Sequence, residues 1–305
     1  VWFPFATHKG LETQVDGWLN QVRAKVRLGA ECPGSQHDLC KLLDEMRLVK
    51  DKHEIDILRR AGLISAGAHV RAMQTSAAML RSGFKGGPRE YHLEAELLHE
   101  FRRHGSEFPA YTSIVAAGAN ACVLHYRAGA TVLQDGDLVL IDAGCELDGY
   151  ASDITRTFPA NGRFTPAQTT LYELVLAAQH AAIAAIRPGR RFMDGHDAAV
   201  RILSQGMLDT GLLDANKVGT LDDVITNGDY RQFYMHRIGH WLGMDVHDVG
   251  EYREVNDTAS AGGDKPWRIL HPGMTLTVEP GIYARPAPGL PEQYWNRLLY
   301  TSPTP

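Results

Sequence analysis

Four apolar residues, Leu138 to Ile141, run unbroken into Asp142, which predicts a buried strand with an acid at its end. After a turn near Asp148-Gly149 the chain alternates again, placing Asp153, Thr155 and Thr157 on one side of a second strand. With Leu147-Asp148 as the two-residue turn, Asp142 and Asp153 are expected to face each other across the hairpin, about 5 Å apart. Sliding the turn by one residue breaks that register. Two like charges in an apolar hairpin call for a positive partner, and a metal cation is the simplest.

Helical periodicity governs much of the rest. A helix is predicted from Arg47 to about Ser82, with Ile55, Leu58, Ser65 and His69 or Val70 on one stripe, stopped by Gly83 and Gly86-Gly87-Pro88. A second covers Glu90 to Arg103, with Tyr91, Ala95, Leu98 and Phe101 inward. Strands are expected over Tyr111–Ala117 and up to Leu124-His125-Tyr126, with a turn at 118–120. Thr165-Pro166-Ala167-Gln168 reads as a capped helix start, and Leu171, Val175, Ala178, Ala182 and Ile186 follow as its buried face. Another helix spans roughly Asp194 to Asp209. From Phe233, FYMHRIGHWLGMDVHDVG sets His236, His240 and His247 among small and apolar residues. A polar loop (251–268) follows, and then MTLTVEPG alternates up to Glu279.

GDLVLID (136–142) and GMTLTVE (273–279) share a turn glycine, a strand pattern and an acid six positions after the glycine. Each follows a helix pair and a histidine-bearing segment. The repeat suggests an internal duplication that joins two acid-tipped strands around one site.

Composition narrows the function. A chain of 305 residues, 44% hydrophobic, can bury a large core. A net charge of −5 without a basic tract argues against nucleic acid or an anionic membrane as main partner. No apolar run reaches the length of a membrane span and no signal peptide is visible, although the chain does not begin with Met. The four cysteines (Cys32, Cys40, Cys122, Cys145) form no CxxC pair and read as small buried hydrophobes in a reduced, cytoplasmic setting.

Asp142, Asp153, His240 and Glu279 are the candidate metal ligands. Carboxylates with one imidazole suit manganese, magnesium, iron or cobalt better than structural zinc, and such sites hold two ions about 3.5–4 Å apart. Singly, an acid at a strand end is usually a turn or cap residue, and most of the other histidines fall on helical or polar stretches. Trp241 and Met244 read as wall or core. The joint pattern carries the metal reading.

LVLIDAGCELDGYASDITRTFP, MHRIGHWLGMDVHDVG and PGMTLTVEPGIY resemble the signature blocks of the Xaa-Pro aminopeptidases (aminopeptidase P), within the creatinase and methionine aminopeptidase "pita-bread" superfamily. The resemblance covers about residues 46–296. It implies an α/β pita-bread fold with pseudo-two-fold duplication, two divalent ions (Mn2+), and peptide substrates with proline in second position. It also implies hydrolysis of the Xaa-Pro bond by a metal-bridging hydroxide and a homo-oligomer in the full-length form. By motif it makes Asp142, Asp153, His240 and Glu279 the ligands, with Glu279 also the general base. His125, His236 and His247 match histidines that hold the substrate carbonyl, stabilise the tetrahedral intermediate or shuttle protons.

Two departures stand beside the match. The family's fifth ligand, a Glu in an Arg-Ile-Glu-Asp strand, has no counterpart after Trp295-Asn296, where RLLYTSPTP follows. Residues 1–45 read as the remnant of a larger N-terminal domain. The chain is therefore expected to be a fragment lacking the closing strand, impaired in holding its second metal. Residues 297–305 are read as a non-native tail that resembles the conceptual translation of a transposon-type sequencing adapter. The rival readings are prolidase, which shares the ligand set, and a catalytically dead pita-bread binding module. Methionine aminopeptidase fits the flanking blocks less well.

Overall fold

Local capping chemistry starts the two longest helices. Asp51 accepts from the Glu54 N–H at 2.9 Å while Glu54 accepts from the Asp51 N–H at 2.7 Å, and Thr165 and Gln168 make the same reciprocal pair. The computed structural model describes residues 1–254, 265–285 and 287–294, and the backbone of 297–300. In chain order the first elements are β1 (Trp2–Phe3), α1 (Leu11–Arg23), β2 (His37–Asp38) and α2 (Leu39–Leu48). The first half continues with α3 (Lys52–Arg81), α4 (Glu90–Arg103), β3 (Ile114–Ala117), β4 (Leu138–Ala143), β5 (Glu146–Leu147), β6 (Tyr150–Ala151) and β7 (Ile154–Pro159). The second half carries α5 (Pro166–Ala185), α6 (Phe192–Asp209), α7 (Ala215–Val218), α8 (Leu221–Asn227), β8 (Gly281–Ala284) and β9 (Arg297–Tyr300).

The helix expected from Arg47 to Ser82 is two helices. Val49 is extended and bridges Met274, and the Lys50 N–H donates to Gly273 O at 2.8 Å, so the break pairs with the second half. On α4 the buried stripe is Glu90, Leu93, Leu97 and Phe101; Tyr91 and Ala95, expected inward, face solvent. The α5 prediction holds, with Leu171, Val175, Ala178 and Ala182 buried.

β3, β4 and β7 form an antiparallel sheet in that order. The connecting turn is Asp148-Gly149, with φ of 51° and 83° at its two central residues, and Leu147 pairs with Tyr150. Two consecutive left-handed residues match the twist of a hairpin, and Asp followed by Gly accommodates them. The expected register is thereby off by one step: Asp142 lies across from Thr155, not Asp153. The two acids are diagonal neighbours on one face.

Alternation along β4 explains that face. Val139, Ile141 and Ala143 pack toward α3 and α4 with Leu93, Leu97 and Phe101. Leu140 packs the other way, with Ala116, Cys122 and Tyr283, and Asp142 follows it on the same side. In the second half α5 and α6 pack with Ile238, Val278, Ile282 and Ala284. There residues 238–242 ladder with 275–279, through Glu279 N to Ile238 O (2.7 Å), Thr277 N to His240 O (2.9 Å) and Leu242 N to Thr275 O (3.1 Å). Gly136 and Gly273, the paired glycines of the sequence repeat, both have positive φ, 85° and 93°.

Other expectations change. No strand forms before Tyr126; residues Gly118–Cys122 make a 3-10 turn and His125 takes a left-handed φ of 53°. Arg297–Tyr300 pairs antiparallel with β8, so this stretch occupies a sheet position despite the expectation that the closing strand was lost. The backbone groups of β8 have no other strand beside them among the described residues. The rest of the proposed tail, residues 301–305, lies outside the described residues, as does part of the polar loop, residues 255–264. Cys122 and Cys145 are buried, whereas Cys32 and Cys40 are half-exposed, and all four are free thiols. Near the N-terminus Phe3, Val15 and Leu19 form a small cluster of their own, and α2 runs across position 45. Among the described residues no helix is long and apolar enough to cross a membrane.

The segment carrying His125 is tied down by one buried acid. Glu90, fully buried, accepts from Ala117 N (2.9 Å), Asn120 Nδ2 (2.9 Å), the Tyr126 hydroxyl (2.9 Å) and Gly129 N (3.0 Å). Truncating it strands several donors at roughly 1–3 kcal/mol for each one that stays dry. Glu90→Ala is therefore expected to destabilise the fold by about 2–4 kcal/mol and to speed amide exchange across residues 117–131. Unchanged melting and exchange would show that the segment is held by something else.

Candidate functional site

Each half delivers two side chains to the same place. Asp142 is the penultimate residue of β4 and Asp153 precedes β7. Their approach depends on Gly144, where a Cβ would lie 1.6 Å from Ser152 O, so no side chain fits. The Tyr111 hydroxyl sits 2.5 Å from Asp142 Oδ1 and 2.9 Å from Asp153 Oδ1, so a single hydroxyl hydrogen is shared between two acids.

From the second half, the 238–242 ladder presents His240 and its partner segment presents Glu279. Gly239 permits the close approach, since a Cβ there would meet Thr277 O at 2.1 Å. The Thr277 hydroxyl accepts from His240 N at 3.0 Å and donates to Glu279 Oε1 at 2.7 Å, locking the two together. His240 Nδ1 lies 2.9 Å from Trp241 O, which leaves Nε2 facing the acids, 3.2 Å from Asp153 Oδ2 and 3.3 Å from Glu279 Oε1. Such a backbone bond to the far nitrogen is how imidazole ligands are oriented.

The charge balance is strained. Burial, reinforced by Asp153, pushes the Asp142 carboxyl well above its usual range. Burial also pushes Glu279 up to about 7, with Asp153 adding and His240 opposing. For His240, burial works downward but is outweighed by Asp153 and Glu279, so its affinity for a proton is raised. Tyr111 is driven well up by burial and the two acids beside it. Three acids against one imidazole leave room for added positive charge.

The remaining predicted residues reach the same cavity, of about 600 Å³, which holds His125, His236 and His247 along with Asp142, Asp153, His240 and Glu279. His236 Nε2 is 2.9 Å from the Tyr283 hydroxyl and its Nδ1 is 2.8 Å from Arg237 O. Burial lowers its proton affinity, with the Arg237 carbonyl opposing. The His247 ring lies 4.1 Å from that of His240. His125 stands at the left-handed position of its segment, an uncommon backbone state that histidine tolerates better than most.

Among the described residues no three donors are spaced around an ion as they stand; instead His240 Nε2 touches both Asp153 and Glu279 directly. The donor chemistry nonetheless fits divalent ions: it is oxygen-rich with one oriented imidazole.

Three groups escaped the sequence reading. Tyr111 was placed only as the start of a strand, and Glu90 only as a helix terminus. The third is an ion-pair clamp under the His240–His247 loop. Lys50 Nζ lies 2.9 Å from Asp248 Oδ2 with both side chains 1% exposed, and Arg47 reaches Asp248 at 2.6 Å and Asp245 at 2.8 Å. Asp248, next to His247, was the only visible signal for it.

Comparison with known proteins gives this geometry a lineage. The chain is 50% identical over 253 residues to the Xaa-Pro aminopeptidase of Haemophilus influenzae, covering 83% of this chain and 54% of that protein. It is 45% identical over 280 residues to the Xaa-Pro aminopeptidase of Escherichia coli, covering 92% of this chain and 58% of that one. It thus spans just over half the length of these relatives. The structure of Pseudomonas aeruginosa aminopeptidase PepP superposes with a TM-score of 0.86 at 47% identity, covering 99% of this chain and 64% of the other. The shared architecture is the pita-bread fold. The profile of metallopeptidase family M24 matches residues 56–295, and on that span, these identities and the common fold the chain belongs to metallopeptidase family M24.

Proposed function

We propose that this chain is an Xaa-Pro aminopeptidase that removes an N-terminal residue preceding proline, with two divalent ions, most naturally Mn2+, held by Asp142, Asp153, His240 and Glu279. The observation that carries this reading is the meeting of acids from both halves with one oriented imidazole in a single cavity. When bound, such ions supply Lewis acidity toward the scissile carbonyl and make water a nucleophile at neutral pH.

The chain's own residues supply the rest. Glu279, held by Thr277, is placed to accept a proton from the attacking water and pass it on. His125 and His247 are placed to offer N–H groups to the carbonyl oxygen as charge develops on it, and His236, whose Nδ1–H is taken by Arg237 O, faces the Tyr283 hydroxyl with Nε2 and can relay a proton through it. The acidic cluster attracts a free amino terminus, which restricts cleavage to chain ends. Residues 46–296 form the catalytic unit in this reading, and residues 1–45 belong to a preceding domain. Residues 297–305 contain no Asp, Glu or His. The family resemblance implies a fifth donor, and none of these nine residues supplies one.

The test is peptide hydrolysis by the 305-residue chain in Mn2+. Release of the first residue from an Xaa-Pro tripeptide, with none from an Xaa-Ala tripeptide, supports the proposal. Cleavage of Xaa-Pro dipeptides alone would assign prolidase activity instead, and no cleavage of any at high enzyme concentration would favour a binding module.

A further inference from the structure

The cavity is not lined by acids and histidines alone. Arg127 and Arg237 also line it, each beside a candidate catalytic histidine: Arg127 two residues after His125, Arg237 directly after His236. Both residues are exposed, and among the described residues neither guanidinium pairs with a carboxylate. Their positions are nevertheless built. Arg127 is flanked by Tyr126 and Gly129, both bound to Glu90. Arg237 is followed by Ile238, which accepts from Glu279 N, and its guanidinium packs over the Trp267 ring at 5.2 Å.

The cavity therefore combines the acidic cluster with two arginines that have no carboxylate partner among the described residues. A short peptide with a free amine at one end and a carboxylate at the other carries the two complementary charges. An extended tripeptide is about 10 Å long, and the cavity, at about 600 Å³, falls within the usual range for small-ligand sites. We infer that Arg127 and Arg237 receive a carboxylate carried by the downstream part of an Xaa-Pro peptide, which makes the site selective for short acids. This rests on the cavity being the seat of such a peptide. The carboxylate has two sources, the C-terminus of a tripeptide or an acidic third side chain, and guanidinium recognition is common to both.

The test is calorimetry on the Mn2+-loaded chain with Ala-Pro-Ala in which the first amide is replaced by a non-cleavable reduced bond. The free acid is expected to bind about tenfold or more tightly than its C-terminal amide, and added salt narrows the gap. In the Arg127→Gln/Arg237→Gln double variant the advantage of the acid disappears. Both positions are exposed, and a thermal melt verifies folding. The corresponding Ala-Pro-Glu amide separates the sources: binding like the free acid assigns the pair to any downstream carboxylate, binding like the plain amide assigns it to the C-terminus. Equal binding of acid and amide by the unsubstituted chain, or a gap that survives the double substitution, overturns this inference alone. Binding of neither peptide overturns the Xaa-Pro reading and this inference with it.

Discussion

Glu279→Gln lowers the rate of Xaa-Pro cleavage at least about a hundredfold relative to the unsubstituted chain, the loss typical of a missing general base. The substitution keeps the shape and leaves an oxygen to accept from Thr277, so the fold persists. The charge, the proton-accepting ability and an anionic metal-ligating oxygen are lost together. The same variant has an opposite effect on stability. Burial raises the folded-state proton affinity of Glu279 to about 7 from the ordinary 4.5, so its ionisation opposes folding. The metal-free chain accordingly loses stability as pH rises from about 4.5 through 7, and none of this contribution returns above that window. Glutamine does not ionise, and the metal-free variant is expected to melt higher than the unsubstituted chain at pH 7.5. Retained activity, or a lower melting temperature at that pH, would remove Glu279 from the role given to it.

The second large effect belongs to the clamp. Asp248→Ala leaves the ammonium of Lys50 buried at 1% exposure with no carboxylate beside it, and deprives Arg47 of one of its two partners. Breaking one side of a buried pair costs about 3–5 kcal/mol. Replacing both members is far milder, so Asp248→Ala combined with Lys50→Met should recover much of the loss. Denaturant unfolding of the two single variants and the double variant measures this as a coupling energy. If the double variant is as unstable as Asp248→Ala alone, the damage comes from the loop backbone and not from the stranded charge.

The difference between what could and could not be read from the sequence follows the range of the interactions. The helix start at Thr165 was legible because its cap and its partner Gln168 are three residues apart. The acid-tipped strand β4 was legible because a period of two and a turn glycine are local signals; the matching 273–279 stretch makes isolated bridges and a short backbone ladder instead of a full strand. The hairpin register was not, because Leu147-Asp148 and Asp148-Gly149 differ by one residue. The decision lay in Asp148 adopting a φ of 51°. The long helix was misjudged at Val49 because its break is set by Met274 and Gly273, far along the chain. For the same reason Tyr111, Glu90 and the Lys50–Asp248 pair were invisible: each acts on groups brought near only by folding. All seven predicted site residues line one cavity, which local pattern, duplication and family resemblance jointly pointed to.

The account depends on Asp142, Asp153, His240 and Glu279 being held together by divalent ions. Its most direct test is the manganese content per chain after equilibrium dialysis, measured for the unsubstituted protein and for Asp153→Ala. We expect at least one ion bound by the unsubstituted chain and none by the variant. An unsubstituted chain that binds no manganese, or an Asp153→Ala variant that binds as much, would contradict it.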